Sequence, residues 1–270
     1  MVRFRRVDAE LVRRKMAPSR TQALHLIREG KVFYNGEQVL KASRNIEPSG
    51  ALVVKDAGQQ YVSRGAYKLL GAFDYLGDNA PIVDGRICLD AGASTGGFTD
   101  VLLRKGASMV YAVDVGYGQL AWKLREDARV KVIERTNIRT LDPNLVFPPA
   151  RLVVGDLSFI SLTLLIPPLI KAADSHADFL LMVKPQFEVG KEHIGAKGVV
   201  RDTVWHKYAI KKVVTCACEH GLSLHAVAPS PLPGPAGNVE YFIYMNADSD
   251  NVIHDIDMAI EQAILDGPAN

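Results

Sequence analysis

The sequence predicts an α/β protein: a mainly parallel sheet with helices on both faces, preceded by a small α+β module. Three observations carry this. From residue 60 onward, short apolar β-prone runs alternate with stretches of helical periodicity, the order that parallel strands need for their crossovers. The first 59 residues instead show two short amphipathic helices and then a hairpin signal. Charge divides at the same place: residues 1–59 hold 12 Lys and Arg against 6 Asp and Glu, net +6, and the remainder holds 20 against 24, net −4.

In the first module, "DAELVRRKMA" turns Leu11 and Val12 inward, and "SRTQALHLIREGKV" does the same with Ala23, Leu24 and Ile27. Ser19 is placed to cap the second helix and Gly30 to stop it. Two β-prone runs in "VFYNGEQVL" flank Asn35-Gly36, the dipeptide that suits a two-residue hairpin turn. A strand in "ALVVK" ends the module, and the polar "DAGQQ" at 56–60 is expected to be the linker. A compact basic module on a near-neutral body implies a polyanionic partner, and nucleic acid is the expected one. Taken together, "LVRRKMAPSRTQALHLIREGKVFYNGEQVLKAS" resembles the S4 RNA-binding domain. That resemblance implies a helix pair and turn presenting basic side chains to structured RNA, here Arg6, Arg20 and Lys41.

The second part, residues 60–270, begins with a helix in "GAYKLLGAFDYL", a strand in "ICLD" and a helix in "FTDVLLRKG". Strand "MVYAVDV", helix "QLAWKLRED" and strand "VKVIE" follow, then strand "ARLVVGDLSF", a helix through "LTLLIPPLIKAA", and strand "DFLLMVK". Helix "WHKYAIKKVVTCACEHG" leads to two late strands, "LSLHAVAPS" and "VEYFIYM", which the long loop "PLPGPAGN" should join as an antiparallel edge hairpin. No internal repeat or low-complexity tract is visible.

With 270 residues and 48% hydrophobic content, the chain can bury an ordinary globular core. The runs "LLIPPLI" and "DFLLMVK" fall far short of the roughly 20 residues that span a bilayer. "MVRFRRVDAELVRRK" has basic residues but no apolar stretch behind them, unlike a secretory signal. A cytoplasmic, monomeric protein without a membrane role is expected. Cys88, Cys216 and Cys218 lack metal-ligand spacing and are expected to be buried thiols, and the seven histidines show no ligand spacing either, so no metal is assigned.

The turn in "GRICLDAGASTGGFTDVLLRKGA" decides the ligand. A G-x-G-x-x-G dinucleotide fingerprint fails because Ser94 stands two residues after Gly92, and a phosphate-binding loop fails because no lysine follows the glycines. What remains is an acidic strand end, Asp90, then Gly92, Gly96, Gly97 and Phe98. This suits a zwitterionic ligand that carries a nucleoside. S-adenosylmethionine is such a molecule: a carboxylate or carbonyl can hold its amino group and loop amides its carboxylate. Asp114 ends the next strand, where a carboxylate can accept ribose hydroxyls.

These segments extend into a longer series: "RVDAELVRR", "VSRGAYKL", "LDAGASTGGFT", "DVGYGQLAWKLR", "ERTN", "DLSFISL", "VKPQFEVGK", "GVVRD" and "SPLPGPAGNVEYF". The chain thereby resembles the TlyA family of ribosomal RNA 2′-O-methyltransferases, a family once given the name haemolysin. The resemblance implies an S4-like RNA-binding domain joined to a Rossmann-like class I methyltransferase sheet of the FtsJ type. It further implies methylation of cytidine ribose in ribosomal RNA, with S-adenosyl-L-methionine as donor and ribosomal subunits as partners. Members with an N-terminal extension like "MVRFRRVDAELVRR" act on both subunits, and shorter ones mainly on the large one. A Lys-Asp-Lys-Glu catalytic set carries over onto Lys68, Asp156, Lys184 and Glu240. Lys184 would stand nearest the ribose oxygen, stabilising the alkoxide or taking its proton, with Asp156 and Glu240 orienting the lysines.

Ser94, Thr95 and Phe98 are expected to shape the cofactor loop, and Asn137 to meet the adenine edge. Phe159 is expected either to stack on the cofactor or to fill the core. Arg64, Arg135 and Arg139 are candidate RNA phosphate contacts. The family often shows Arg-x-Trp-Val at the interdomain junction, where this chain reads Gln59-Gln60-Tyr61-Val62, so no role is carried over to that linker. Two other readings compete. A membrane-damaging protein should carry an export signal, a long amphipathic hairpin or a spanning helix, and a silent RNA-binding assembly factor would have lost the four-residue set.

Overall fold

The computed structural model of the chain describes residues 4–54, 61–248, 250 and 252–268. It falls into two compact units, Met1–Gln60 and Tyr61–Asn270. The linker expected at 56–60 lies outside the described residues.

In the smaller unit, β1 (Arg5–Arg6) runs into α1 (Val7–Arg13), followed by α2 (Arg20–Arg28), β2 (Val32–Tyr34), β3 (Glu37–Gln38), β4 (Asn45–Ile46) and β5 (Leu52–Val54). β3, β2 and β5 form an antiparallel sheet in that order, and β1 pairs with β4. The β2–β3 turn sits at Asn35 and Gly36, both with positive φ, the geometry that matches strand twist. Ser19 caps α2 by accepting from the Gln22 amide at 3.2 Å. α1 ends at Arg13 rather than running to residue 17, because Lys15 turns left-handed. Leu26, not Leu24, faces the core with Ala23 and Ile27, and Leu24 is exposed.

The larger unit continues with α3 (Gly65–Leu76), β6 (Ile87–Ala91), α4 (Gly97–Arg104), β7 (Met109–Val113), α5 (Trp122–Arg125), β8 (Val130–Ile133), β9 (Ala150–Gly155), α6 (Ile166–Ala172) and β10 (Ala173–Val183). It closes with α7 (Pro185–Glu188), α8 (Thr203–Glu219), β11 (Ser223–Pro229), β12 (Tyr241–Asn246) and α9 (Ile256–Leu265). The seven strands lie in the order β11-β12-β10-β9-β6-β7-β8, parallel from β10 to β8 and antiparallel at β12 and β11. This is the α/β sheet expected, with the late hairpin at one edge. Two apolar cores flank it. Leu69, Phe73, Val101 and Leu124 from α3, α4 and α5 fill one, and Leu169, Val213 and Ile260 from α6, α8 and α9 fill the other. Each such side chain contributes about 2 kcal/mol through burial.

Three elements depart from expectation. The helix anticipated over 162–173 is a one-turn 3₁₀ segment, Leu162–Leu164, followed by α6, because Pro167 and Pro168 are tolerated only in a first helical turn. α5 is only four residues long, since Ala121 is held extended with its amide donating to Thr95 O at 3.2 Å. α9 follows a stretch not assigned from sequence, although Asp255 caps it and Ile260 and Ala263 bury its inner face. Of the three thiols only Cys88 is buried; Cys216 is half-buried and Cys218 exposed, which corrects the expectation of buried cysteines.

Candidate active site

Strand order reverses beside β6: β7 and β8 lie on one side, β9 and β10 on the other. Ligands of open α/β sheets bind at the carboxyl ends of strands flanking such a point. The turn after β6 is stitched across it, with the Gly92 and Ala93 amides donating to Val113 O at 2.9 and 3.1 Å and the Asp156 amide to Ala91 O at 3.2 Å. Gly92 has φ +82°, and a Cβ there would stand 3.1 Å from Asp156 O, so a side chain would push the turn off β9. Gly96 has φ +94° and no room beside Leu124 and Leu120. Gly97 opens α4 pressed against Ser63 and the Ala66 amide of α3.

Asp90 lies beneath the turn, fully buried. Its Oδ2 accepts from the Thr99 amide (2.9 Å) and hydroxyl (2.7 Å), while Oδ1 is buried without a hydrogen-bond partner. Burial pushes the Asp90 carboxyl up to about 7, against the Thr99 hydrogen bonds and helped by the nearby Asp156 and Asp114 charges. Asp114 Oδ2 accepts from the Ser94 amide at 2.8 Å and Oδ1 from the Gly116 amide at 2.7 Å, leaving one lone pair on each oxygen. Gly92, Ala93, Ser94 and Gly96 all use their amides within the protein. Within this turn, among the described residues, the amides of Thr95, Gly97 and Phe98 donate to no protein acceptor, the last two at the start of α4.

Two cavities meet at this turn. One, of about 490 Å³, is lined by Asp114, Asn137 and Phe159. The other, of about 320 Å³, is lined by Arg64, Lys68, Lys184 and Pro235. Gly92, Ser94, Asp156 and Ser158 belong to both and form the wall between them. An unsatisfied buried carboxylate oxygen, free helix amides and a turn without side chains fit an elongated zwitterionic nucleoside lying across both.

Four charges alternate along the second cavity. Glu240 Oε2 accepts from Lys68 Nζ at 2.5 Å, Lys68 Nζ lies 3.6 Å from Asp156 Oδ2, and Lys184 Nζ lies 2.5 Å from Asp156 Oδ1 in an ion pair without hydrogen-bond alignment. Their positions follow from the fold: Asp156 and Lys184 leave the neighbouring strands β9 and β10, Glu240 precedes β12, and Lys68 sits one turn into α3. Glu240, Lys68 and Lys184 are buried, and Asp156 is the most exposed of the four.

Ser158, not singled out from the sequence, accepts from Lys184 Nζ at 2.7 Å. Glu188, also not singled out, holds the loop that carries Asp156 and Ser158: its carboxylate accepts from the Ser161 hydroxyl at 2.5 Å and the Leu162 amide at 2.7 Å. Both lie inside quoted segments, "DLSFISL" and "VKPQFEVGK", whose side-chain pairings only the tertiary structure defines. Phe98 is packed in the core against Phe242, with ring centroids 6.0 Å apart. Phe159 is 90% exposed, so the core-filling alternative is excluded. Thr95 lines the second cavity and Asn137 the first.

Of the basic residues, Arg64 is exposed at the second cavity and Arg139 is exposed near Asn137; Arg135 is exposed over the Tyr117 ring at 4.2 Å. Lys41 is exposed in the smaller unit, whereas Arg6 and Arg20 both bond Asp8. No group of three or more His, Cys, Asp or Glu among the described residues is arranged to hold a metal ion. None of the described helices is long and apolar enough to cross a membrane.

Comparison with known proteins matches residues 61–247 to the FtsJ-like methyltransferase family and residues 5–52 to the S4 domain. The 16S/23S rRNA (cytidine-2′-O)-methyltransferase TlyA of Mycobacterium tuberculosis is 49% identical over 271 residues, 99% of this chain and 100% of the relative. The 23S rRNA (cytidine-2′-O)-methyltransferase TlyA of Campylobacter jejuni is 33% identical over 251 residues, 86% of this chain and 96% of the relative. A solved structure from Streptococcus thermophilus that carries the hemolysin name superposes with a TM-score of 0.71 at 36% identity, covering 98% of this chain and 96% of the other.

Proposed function

Because the chain belongs to the FtsJ-like methyltransferase family, in the S4-bearing TlyA group, we propose that it methylates the 2′-hydroxyl of cytidine in ribosomal RNA. The observation that carries this is the alternating Glu240–Lys68–Asp156–Lys184 chain beside the glycine turn.

S-adenosylmethionine, once bound, supplies an electrophilic methyl group; everything else falls to the chain. Asp114 would receive the ribose hydroxyls through its two remaining lone pairs, Asn137 the adenine edge, and the Gly97 and Phe98 amides the donor's carboxylate. Asp90 lies too deep for a direct contact and would fix the turn through its hydrogen bonds with Thr99 at the start of α4. A ribose hydroxyl is a poor nucleophile, and the task is to stabilise negative charge on its oxygen while aligning it with the methyl. Lys184 Nζ, in the second cavity and bonded to Ser158 of the shared wall, would stabilise that charge. Asp156 and Ser158 aim Lys184, and Glu240 holds Lys68 close enough to add its positive potential.

The smaller unit would bring RNA to the site through Arg6, Arg20 and Lys41, with Arg64, Arg135 and Arg139 taking phosphates nearer the chemistry. Action on both subunits is supported by the M. tuberculosis relative, which is named as a 16S/23S rRNA methyltransferase and which this chain matches over 99% of its length. Such work belongs in the cytoplasm, by a monomer. Transfer of tritiated methyl groups to separated ribosomal subunits tests the reading. Lys184→Ala should lose at least about a hundredfold in rate while calorimetry still detects S-adenosylmethionine binding. Equal incorporation by variant and wild type would remove Lys184 from the mechanism, and haemoglobin release by the inactive variant would favour a membrane-damaging role instead.

A further inference from the structure

In the smaller unit one buried carboxylate holds two arginines. Asp8, 2% exposed, accepts from Arg6 Nε at 3.1 Å and Ala9 N at 2.8 Å through Oδ1, and from Arg6 Nη2 at 3.0 Å and Arg20 Nη2 at 2.8 Å through Oδ2. The two guanidiniums thus share one oxygen and stand side by side, their side chains 49% and 60% exposed. Arg14, at the C-cap of α1, shows what a structural arginine looks like here: it bonds Glu10, Pro48 O and Gly50 O and is mostly buried. Arg6 Nη1 and Arg20 Nε and Nη1 meet no acceptor among the described residues. Arg20 also occupies the first position of α2, where a cation opposes the helix dipole. The helix dipole gives no reason for a cation there.

We propose that Asp8 is a positioning residue for RNA binding: it holds Arg6 and Arg20 as a single two-guanidinium fork for one RNA phosphate. Two cations on one anion leave a net positive spot, and ordering both before contact removes the cost of ordering them on binding. This rests on the reading that the smaller unit binds RNA.

Removing Asp8 separates positioning from bulk electrostatics by sign. Asp8→Asn deletes a negative charge from a basic surface, so charge alone would tighten binding; loss of the fork loosens it. Binding of the full-length protein to a fluorescently labelled ribosomal RNA stem-loop should weaken about tenfold, with the slope of log K against log salt shallower by about 1. Circular dichroism checks that the variant folds. Asp8→Glu, which keeps the charge but displaces the carboxylate by one methylene, should weaken binding as well. Unchanged or tighter binding by both Asp8 variants, with weaker binding by Arg6→Ala and Arg20→Ala, overturns the fork and leaves the RNA reading standing. No effect of the arginine variants overturns both.

Discussion

Lys68 and Glu240 are not equivalent partners, and the difference is measurable. Lys68 Nζ has two carboxylates, Glu240 at 2.5 Å and Asp156 at 3.6 Å, whereas Glu240 has only Lys68 as a charged partner among the described residues. At an effective dielectric of about 20, unit charges at those separations attract by about 7 and about 5 kcal/mol before desolvation. Asp156 therefore retains roughly two-fifths of the total attraction on Lys68 when Glu240 is neutralised. Stranding one member of a buried pair costs about 3–5 kcal/mol. Lys68→Met, which leaves Glu240 alone, should cost about 4 kcal/mol, and Glu240→Gln about 2 kcal/mol, by the same account. The double variant, with neither charge buried, should lie within about 1 kcal/mol of wild type, giving a coupling of at least about 5 kcal/mol. Both tryptophans, Trp122 and Trp205, sit in the larger unit, so urea titration followed by their fluorescence reads the unit that holds the pair. Methyl transfer should be lost in all three variants, the stable double one included. If Glu240→Gln is as costly as Lys68→Met, or if the double variant is as unstable as the two singles together, the reasoning fails.

Three further outcomes are expected. The Asp90 carboxyl, at about 7 against 3.8 for the free group, keeps a proton in the folded chain that the unfolded chain has released. Its contribution to stability therefore falls as pH rises from about 4 to about 7, and Asp90→Asn should remove that part of the decline in a series of thermal melts; parallel curves would contradict the buried-acid assignment. Gly96→Ala combines φ +94° with a collision against Leu124 and should cost about 2 kcal/mol or more, read by the same urea titration; a cost below about 0.5 kcal/mol would show that the turn relaxes freely. Ser158→Ala leaves Lys184 its ion pair with Asp156 but removes the 2.7 Å hydrogen bond, so kcat should fall about tenfold at unchanged KM. A change confined to KM would assign Ser158 to substrate binding instead.

What could be read from the sequence divides along physical lines. Local backbone demands were visible: Asn35-Gly36 sits in a hairpin with both φ positive, and Ser19 caps α2. Alternation of strand and helix revealed the sheet, and the glycine spacing revealed the turn. The apolar pattern of α2 suits either Leu24 or Leu26 as a core residue, and packing selects Leu26. The continuous helix over 162–173 failed at Pro167 and Pro168, whose missing amides the apolar periodicity hides. α9 escaped although its cap and inner face are both present in the sequence. At the site, the four charged residues could be named from their motifs, but not which lysine faces which carboxylate. That depends on β9 and β10 being neighbours in register and on how closely α3 approaches the sheet.

The approach of α3 is set by residues with no chemistry of their own. Lys68 lies between the start of α3, where Gly97 lets Ser63 and the Ala66 amide touch α4, and Gly71, against which Pro231 packs with no room for a Cβ. From Pro231 the chain loops back to Gly234, where a Cβ would stand 2.6 Å from Glu240 Oε1. A side chain at Gly71 or Gly234 would open the seam between α3 and the loop before β12, the two elements that bring Lys68 and Glu240 together, and one at Gly97 would push the start of α3 off α4. A buried ion pair repays its desolvation only with close geometry, and an opening of a few tenths of an ångström on each side would weaken both the pairing and the potential it directs at Lys184. The charged quartet therefore inherits its geometry from how closely two backbones can approach.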